Sequence, residues 1–394
     1  MRIWLIFSLL FITGTCIAGA DALVAQDTTT LAEPVFAWAT SGDLYVMQGL
    51  DAEAQVIASG SVQAVKLSPQ SSRVAFRRGP DADASLWVVD VESGDPVQLD
   101  EAFTVEMVWR DEETLFYNTA AFDPNTGFEM NNDLWRVDVA AGTVTRYPTG
   151  GQINLSPDGN HLLLMRGGKY GEEPGEIWHV EPDDPESAQR LYTFDAIASG
   201  HHDAFYPQIS WLTSDRVAFA LPVPDLLYMP PDVRQPTQLV SLDMAGNAEV
   251  MGTIVTDLFA FPAWSPDGQH LLYSETDTGA NTSLWLADAD GSNAQIIDQV
   301  QHGLISTTPH WISETQYIYI KSTAYYIGSV GEAPYRWLED AYAVPKIAGS
   351  YIMYIVPAEE NLHLRVARLG DETFSHLTDR ARSVFWDVVV PSDS

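Results

Sequence analysis

Cysteine is nearly missing from this sequence of 394 residues, since Cys16 is the only one. It lies in an apolar N-terminal segment, so the chain beyond it has no thiol for a disulfide or a nucleophilic cysteine. That part of the chain must therefore be stabilised by packing alone. Hydrophobic residues make up 46% of the sequence, which is enough for a substantial core.

Long hydrophobic runs are missing as well, since none reaches the roughly 20 residues that a membrane-spanning helix needs. A shorter apolar run at residues 3–12 follows Arg2 and precedes the small residues Ala18 and Ala20. A basic start, an apolar stretch of about ten residues and a small-residue cleavage site are typical of a secretory signal peptide. We therefore expect residues 1–25 to be a signal peptide that is removed on export.

The chain after the predicted signal peptide is expected to contain two parts, a linker and a domain. We expect residues 26–34 to be a linker and residues 35–390 to form one domain, in a mature protein that is periplasmic or extracellular. Anchoring as a lipoprotein through Cys16 is the less favoured alternative, because Thr15 stands where such sites have Gly, Ala or Ser. A body without disulfides fits a bacterial envelope or extracellular protein.

Basic residues are scarce: 20 lysines and arginines face 54 aspartates and glutamates, which gives a formal net charge of −34. A polyanion of this size is repelled by phosphate backbones and anionic lipids, which argues against nucleic-acid or membrane-surface binding. The acidic excess is typical of a protein that its charge keeps soluble. The charge also leaves open a more specific interpretation, in which it attracts a cation or a basic partner.

The sequence also lacks the short motifs that mark common catalytic sites. It contains no Gly-x-Ser-x-Gly nucleophile elbow, no His-Glu-x-x-His zinc motif and no Gly-Lys-Ser/Thr phosphate loop. We therefore expect a protein that binds a partner rather than an enzyme, with no cofactor. The alternative is a hydrolase or lyase, similar to a glycosidase, that uses carboxylates supplied by separate loops.

Two short stretches resemble metal sites. Asp288, Asp290 and Asn293 place oxygen ligands as in a calcium loop, but the bidentate glutamate that closes such a loop is missing. Residues 201–203 offer His-His-Asp in a row, yet adjacent residues rarely converge on one ion. We interpret the first stretch as a hairpin turn and the second as a polar loop, and we predict no metal site.

One pattern recurs through most of the chain. Its clearest copy has Trp-Ser-Pro-Asp-Gly at residues 264–268, an apolar strand at 270–274, Leu-Trp-Leu-Ala-Asp at 284–288 and a further strand at 294–297. An Asp-Gly pair between apolar runs predicts a hairpin, because glycine adopts a positive φ at no steric cost. The repeated unit is therefore four consecutive antiparallel strands.

Second strands of this unit begin near eight positions, at residues 35, 74, 114, 162, 216, 271, 317 and 351. A spacing of roughly 45 residues is typical of β-propeller blades. The first copy lacks its first strand, and residues 383–390 form a spare strand after the last copy. We predict an all-β propeller of eight four-stranded blades, closed by the C-terminal strand, which removes an open sheet edge. Seven blades is the alternative, if the weak copies after Leu304 merge.

The Trp-Ser-Pro-Asp-Gly turn, the Leu-Trp-x-x-Asp strand and the Asp-Gly turn resemble TolB-type, WD-repeat-like propeller repeats. These also occur in the propeller domains of dipeptidyl-peptidase-like and prolyl-oligopeptidase-like enzymes. The resemblance is sharpest at residues 62–99, 151–194 and 259–298, and the Gly-His and terminal Trp-Asp signature of true WD repeats is missing. It implies a propeller that serves as an interaction platform or gates a separate catalytic domain, and the chain has no room for a hydrolase domain.

Tryptophan recurs at two fixed positions of the unit. One position is in the third strand and the other is at the end of the first strand. Large rings at a fixed register fill the wedge between twisted sheets, so we interpret them as packing between blades rather than as platforms for sugar stacking. The residues concerned are Trp87, Trp135, Trp178 and Trp285 in the third strand, and Trp109, Trp211, Trp264 and Trp311 in the first.

Insertions are concentrated on one predicted face of the ring, in residues 120–132, 167–175, 195–205 and 221–235 of blades three to five. Long loops in a compact fold are usually functional or disordered. We predict that this face binds a protein, peptide or glycan partner, although residues 222–231 could instead plug the central channel. The candidate binding residues are Phe122, Phe128, Tyr170, His201, His202, Phe205, Leu226, Leu227, Tyr228 and Met229.

Overall fold

A computed structural model describes most of the chain from residue 33 to residue 391. The predicted signal peptide and most of the predicted linker lie outside the described residues. Within this range the description leaves out residues 81–82, 124–126, 169–172, 199–204, 226–235, 257–260, 302–304, 306–307, 340–344, 358–360, 372 and 382–384. The described residues contain β-strands and no α-helix.

The repeated short apolar runs of the sequence form strands, and the Gly-containing stretches between them form the turns. The strands are β1 (Val35–Thr40), β2 (Asp43–Gln48), β3 (Gln55–Ser59), β4 (Val62–Leu67), β5 (Arg73–Arg78), β6 (Ser85–Asp90), β7 (Val97–Asp100), β8 (Thr104–Trp109), β9 (Thr114–Asp123), β10 (Gly127–Asp138), β11 (Thr143–Arg146), β12 (Gln152–Leu155), β13 (Leu162–Arg166), β14 (Gly175–Glu181), β15 (Asp184–Phe194), β16 (Ser210–Thr213), β17 (Arg216–Leu221), β18 (Thr237–Asp243), β19 (Ala248–Ile254), β20 (Ala263–Trp264), β21 (His270–Thr276), β22 (Asn281–Asp288), β23 (Gln295–Gln301), β24 (His310–Trp311), β25 (Gln316–Lys321), β26 (Ala324–Ser329), β27 (Tyr335–Glu339), β28 (Lys346–Ala348), β29 (Tyr351–Pro357), β30 (Leu362–Arg368), β31 (Phe374–Ala381) and β32 (Phe385–Val389).

These strands pair into eight antiparallel sheets of four strands each, which confirms the eight-bladed propeller. We number the blades by the order of their second strands. Blade one is β32-β1-β2-β3, blade two is β4 to β7, blade three is β8 to β11, blade four is β12 to β15, blade five is β16 to β19, blade six is β20 to β23, blade seven is β24 to β27 and blade eight is β28 to β31.

The ring closes through the C-terminal strand, as predicted. Strand β32 pairs antiparallel with β1, with Trp386 opposite Trp38 and Val389 opposite Val35. The first and last strands of the chain thus share one blade. A closed ring needs this arrangement, because it leaves no sheet edge exposed between the first and last blades.

The hydrophobic core is divided among the blade interfaces. Each of the eight clusters of buried side chains in the described residues combines residues from two neighbouring blades. One of them joins Phe36 and Trp38 of blade one to Met353 and Leu364 of blade eight. The sheets therefore stack face to face around a complete circle, with no single central core.

The first strand of each blade lies nearest the ring axis. First strands of neighbouring blades contact each other, as β4 does β8 and β28 does β32. The fourth strands lie at the rim and are mostly exposed; all four residues of β11, for example, are exposed. The polar groups of the first strands therefore form the wall of the central channel.

The repeated tryptophans of the third strands pack where two blades meet. Trp87 and Trp178 are half-buried, and each belongs to a cluster that joins two blades. Arginine guanidinium groups cover their faces, with Arg78 4.9 Å from the Trp87 ring and Arg166 5.4 Å from the Trp178 ring. Both rings thus pack at a blade interface with a guanidinium over one face, as the packing interpretation expects.

Candidate functional site

The two faces of the ring differ in the length of their loops. Turns between strands one and two and between strands three and four lie on one face, which we call the short-turn face. Its turns are compact, as at residues 265–269, where the Ser265 hydroxyl donates a 2.5 Å hydrogen bond to Asp267. The other connections lie on the opposite face, which we call the long-loop face. The insertions of blades three to five lie on this second face.

Backbone hydrogen bonds join three of these insertions. The Ala198 amide, in the connection from blade four to blade five, donates to the Pro224 carbonyl of the blade-five insertion at 2.8 Å. The Phe205 amide donates to the Gly168 carbonyl of the blade-four insertion at 3.2 Å. Because backbone bonds fix relative position, the described parts of these insertions form one layer, which we call the loop layer.

Phe205 anchors the loop layer to the core. Its side chain is only 5% exposed and packs in the cluster between blades four and five, which also contains Phe194, Ile197 and Trp211. The sequence predicts Phe205 as a contact residue, and the structure places it beneath the surface. Phe205 is therefore placed to hold the loop layer against the core, and its participation in binding stays a prediction.

The blade-three insertion differs from the loop that the sequence predicts over residues 120–132. Strand β9 continues to Asp123 and β10 begins at Gly127, so most of this stretch is a hairpin that extends the blade. Phe122 and Phe128 lie directly opposite each other in its register. Sequence reasoning missed the extension because polar residues and a Pro-Asn-Thr-Gly stretch interrupt the apolar pattern.

Most other predicted contact residues lie outside the described part of the chain. They are Tyr170, His201, His202, Leu226, Leu227, Tyr228 and Met229. In the sequence they belong to the insertions at residues 167–175, 195–205 and 221–235. Their participation in binding stays a prediction, as does the choice between a contact patch and a channel plug.

The channel wall contains a charged group of residues that the sequence did not reveal. Asp387 of blade one accepts a 3.0 Å hydrogen bond from the Leu67 amide of blade two, and its carboxylate lies 3.6 Å from the Lys66 ammonium. Glu106 of blade three accepts a 2.9 Å hydrogen bond from the Ile153 amide of blade four. In both cases a carboxylate satisfies an amide on the inner strand of the next blade.

Glu106 has a strongly perturbed acidity. Burial raises the pKa of its carboxyl from 4.5 to about 7, while hydrogen bonds from Ile153 and Asn118 and the charge of Lys66 act in the opposite direction. The residue is only 4% exposed. A buried carboxyl with such a pKa is a signal of function or of strain, and sequence alone cannot give it, because a glutamate on a strand is usually exposed.

Blades seven and eight place a histidine and a lysine on the channel wall. His310 and Lys346 occupy the first strands of blades seven and eight. Burial first, and then the charge of Lys346, lower the pKa of the His310 imidazole to about 4, so this ring is neutral at physiological pH. The Nε2 atom of His310 is buried without a hydrogen-bond partner.

The stretches that resemble metal sites differ in how far the structure describes them. Residues 288–293 form a turn in which Asp288 accepts a 2.7 Å hydrogen bond from the side-chain Nδ2 of Asn293 and Asp290 accepts a 2.8 Å bond from the Ser292 backbone N–H. The His-His-Asp stretch lies outside the described residues. Among the residues that the structure describes, no three His, Cys, Asp or Glu side chains are placed to hold a metal ion.

Comparison with known proteins supports the fold. The chain matches no family model and no curated protein sequence. A solved prolyl endopeptidase is similar over 92% of this chain at 16% identity with a TM-score of 0.53, and this chain spans 60% of the length of that protein. An oligogalacturonate lyase, solved with manganese, is similar over 87% of this chain and 99% of its own, at 13% identity and a TM-score of 0.54.

TolB from Acinetobacter baumannii is also among the structural neighbours, at 14% identity over 65% of this chain and 61% of that protein, with a TM-score of 0.34. At these identities the likeness extends to the fold alone. The chain is an all-β propeller, and the prolyl endopeptidase and the oligogalacturonate lyase are similar to it in fold. Within the described range, no helix is long and apolar enough to span a bilayer.

Proposed function

We propose that this protein is an exported, non-catalytic propeller that binds a protein or peptide partner through the loop layer of blades four and five and the hairpin of blade three. The observation that carries the proposal is the pair of backbone hydrogen bonds that join the insertions, from Ala198 to Pro224 and from Phe205 to Gly168. A preorganised layer loses less conformational entropy on binding than separate flexible loops would.

The sequence of the loop layer favours a macromolecular partner. Residues 226–229 read Leu-Leu-Tyr-Met and are flanked by prolines at 222, 224, 230 and 231. Apolar and aromatic side chains in a surface insertion are typical of protein contacts, and prolines restrict the chain that presents them. The short-turn face offers no comparable insertion, so the two faces differ in what they can bind.

The channel carboxylates support a non-catalytic role. Asp387 and Glu106 each accept a hydrogen bond from a backbone amide of the next blade. A catalytic acid or nucleophile must reach a substrate, whereas these two groups hold neighbouring blades together. The N-terminal apolar run after Arg2 supports export, because it has the length and flanks of a signal peptide.

Selection of peptides from a random display library against the folded protein tests this proposal. We expect selected peptides to bind the wild type and to lose at least tenfold in affinity when residues 226–233 are replaced by a Gly-Ser linker. The matched control replaces residues 331–333 on the short-turn face with Gly-Ser-Gly and should bind as the wild type does. Equal binding by both variants would place the partner surface elsewhere.

A parallel assay separates binding from catalysis. The protein is incubated with a panel of peptides and acidic oligosaccharides, with and without added manganese, and products are followed by mass spectrometry. We expect no turnover. Cleavage of an oligosaccharide, or tight glycan binding with no selected peptide, would instead support the alternative that the propeller acts on or binds carbohydrate.

A further inference from the structure

The fourth strand of blade three stops before it covers the whole third strand. In each of the other seven blades, pairing between the third and fourth strands reaches the first or second residue of the third strand. In blade three, β10 begins at Gly127, but its pairing with β11 starts only at Trp135. As far as the structure describes the chain, residues 127–133 of β10 therefore have a partner strand on one side alone.

The other edge of this hairpin is open as well. Among the described residues, β8 pairs with β9 no further than Thr119, and one more backbone bond joins the Ala120 amide to the Phe103 carbonyl at 3.0 Å. Residues 121–123 and 127–133 thus form two strands that extend past the blade on the long-loop face. We call them the blade-three ribbon. A two-stranded ribbon is only marginally stable in water, and a third strand stabilises it.

The outer edge of the ribbon is suited to pairing with a short strand. A strand edge without a neighbour presents backbone N–H and C=O groups that pair with another extended chain. Residues 127–129 pair in regular register with residues 121–123 of β9, and the register then shifts between Glu129 and Asp133. Such a bulge bends the strand. The edge is therefore short and bent, which favours a single extended segment over a long sheet.

The charge of the ribbon indicates the chemistry of its partner. Residues 120–133 contain Asp123, Glu129 and Asp133 and no lysine or arginine. Asp133 is paired with Arg146 of β11 at 2.9 Å, and the whole chain has a net charge of −34. A second copy of this chain would bring the same carboxylates to the edge, and like charges on paired strands are destabilising. A segment that carries lysine or arginine is attracted instead.

We propose that the blade-three ribbon binds an extended basic segment of a protein partner by strand addition to the outer edge of β10. The segment becomes the third strand of the ribbon, and its backbone pairs with residues 127–133. Phe128 and Glu129 are consecutive on β10, so they occupy opposite faces of the ribbon, and Phe122 is directly opposite Phe128. The matching segment therefore alternates apolar residues with lysine or arginine. This inference deepens the proposed function and rests on it.

A fluorescent octapeptide that alternates lysine with valine tests the inference on the full chain, by fluorescence anisotropy. We expect it to bind the wild type and to lose at least tenfold in affinity when Asn-Gly replaces residues 121–132, which leaves a tight turn between Ala120 and Asp133. Glu129→Lys should cause a loss of the same size. Asp83→Lys, in the corresponding connection of blade two and also exposed, is the matched control and should bind as the wild type does.

N-methylation of the peptide, one residue at a time, separates strand addition from simple charge attraction. A methyl group on an amide that pairs with β10 should abolish binding, whereas a methyl group on the amides between them should have little effect. The reason is that every second amide of an added strand points to the neighbouring strand. This scan uses the wild-type protein, so it decides the question even where a variant fails to fold.

Three results would overturn the inference: no binding of the octapeptide to the wild type, a scan without a two-residue period, or equal losses in Glu129→Lys and Asp83→Lys. A dimer that analytical ultracentrifugation detects in the wild type and not in the shortened ribbon would also overturn it, because the edge then pairs with a second copy. If library-selected peptides still lose affinity when residues 226–233 are replaced, the proposed partner surface stands and strand addition alone fails.

Discussion

The Ser68 hydroxyl of blade two donates a 2.7 Å hydrogen bond to the Glu112 carboxylate of blade three. In blades four and six the matching serines, Ser156 and Ser265, donate instead to an aspartate two residues later in their own turns. Blade two has Gln70 at this position, so the neighbouring blade supplies the missing carboxylate. The turn of one repeat is thus completed by the next repeat.

This relationship predicts that a second substitution restores stability lost in a first one. Glu112→Ala should lower the free energy of unfolding by about 1–3 kcal/mol, because Ser68 and the backbone of Gln70 lose their acceptor. Adding Gln70→Asp should restore much of the loss by recreating the turn of blades four and six. Urea denaturation of the two single variants and the double variant gives the coupling free energy between positions 70 and 112. Glu113→Ala is the control, and strictly additive effects would contradict the interpretation.

Ring closure predicts a large cost for removing Asp387. Its side chain is 6% exposed, and it both accepts from Leu67 and pairs with Lys66. Asp387→Ala should cost about 3–5 kcal/mol, because it leaves a buried amide and an ammonium without their partner. Thermal unfolding measures this, with the exposed Asp371→Ala as control. Similar melting temperatures for both variants would mean that closure does not depend on this carboxylate.

The buried position of Phe205 predicts that stability and binding change together. Phe205→Ala should lower the free energy of unfolding, either of the whole domain or of the loop layer alone, by about 3–5 kcal/mol. The reason is that it leaves a cavity in the cluster between blades four and five. Hydrogen exchange should increase at the Ala198 and Phe205 amides, and affinity for a selected peptide should fall. Tyr228→Ala should reduce affinity alone. If Phe205→Ala is destabilised but binds the selected peptide with unchanged affinity, the loop layer is not required for recognition.

A pair of histidines predicts acid sensitivity in blade four. His161 Nδ1 and His179 Nε2 lie 2.9 Å apart, so one proton lies between two nitrogens. Burial first, and then the charge of His161, lower the pKa of His179. Since the unfolded chain binds the additional proton that charges His179 more tightly than the folded chain does, the stability that neutral His179 contributes is present above about pH 6.5 and is lost as the pH falls.

Chemical denaturation between pH 8 and pH 5 measures this contribution as the difference between the wild type and His179→Gln. We expect the difference to shrink as the pH falls, with His270→Gln as a control in another blade. A constant difference would mean that His179 keeps its ordinary acidity in the fold. The comparison with a variant is needed because Glu106 changes stability in the opposite direction.

For Glu106 the folded chain binds the proton more tightly than the unfolded chain does. Its contribution is therefore fully present below about pH 4.5 and is lost as the pH rises through about 7.

The fold could be predicted from sequence because its repeats are local. Each Pro-Asp-Gly turn and each Leu-Trp-x-x-Asp strand specifies a hairpin within a few residues, as at residues 155–166 and 264–288. The closing strand was also predictable, since Trp386 belongs to a strand with no partner in the last copy. Its pairing with β1 follows from the missing strand at the start of the chain, and the structure adds the register with Trp386 opposite Trp38.

The channel group could not be predicted, because it joins residues far apart in the chain. Lys66 and Asp387 are on blades that meet only when the ring closes, and Glu106 acquires its acidity from burial between two blades. The hairpin of blade three was missed for a different reason: Glu129, Asn131 and Asn132 interrupt the apolar pattern of this extended strand, where the local pattern predicts a loop.

The most direct test of the account is a hydrogen-exchange footprint of a selected peptide on the full chain. We predict protection at residues 120–130, 168–172, 199–205 and 224–235, with none in the turns at residues 265–269 or 288–293. Protection confined to those turns, or to the outer strands at the rim, would contradict the assignment of partner binding to the long-loop face.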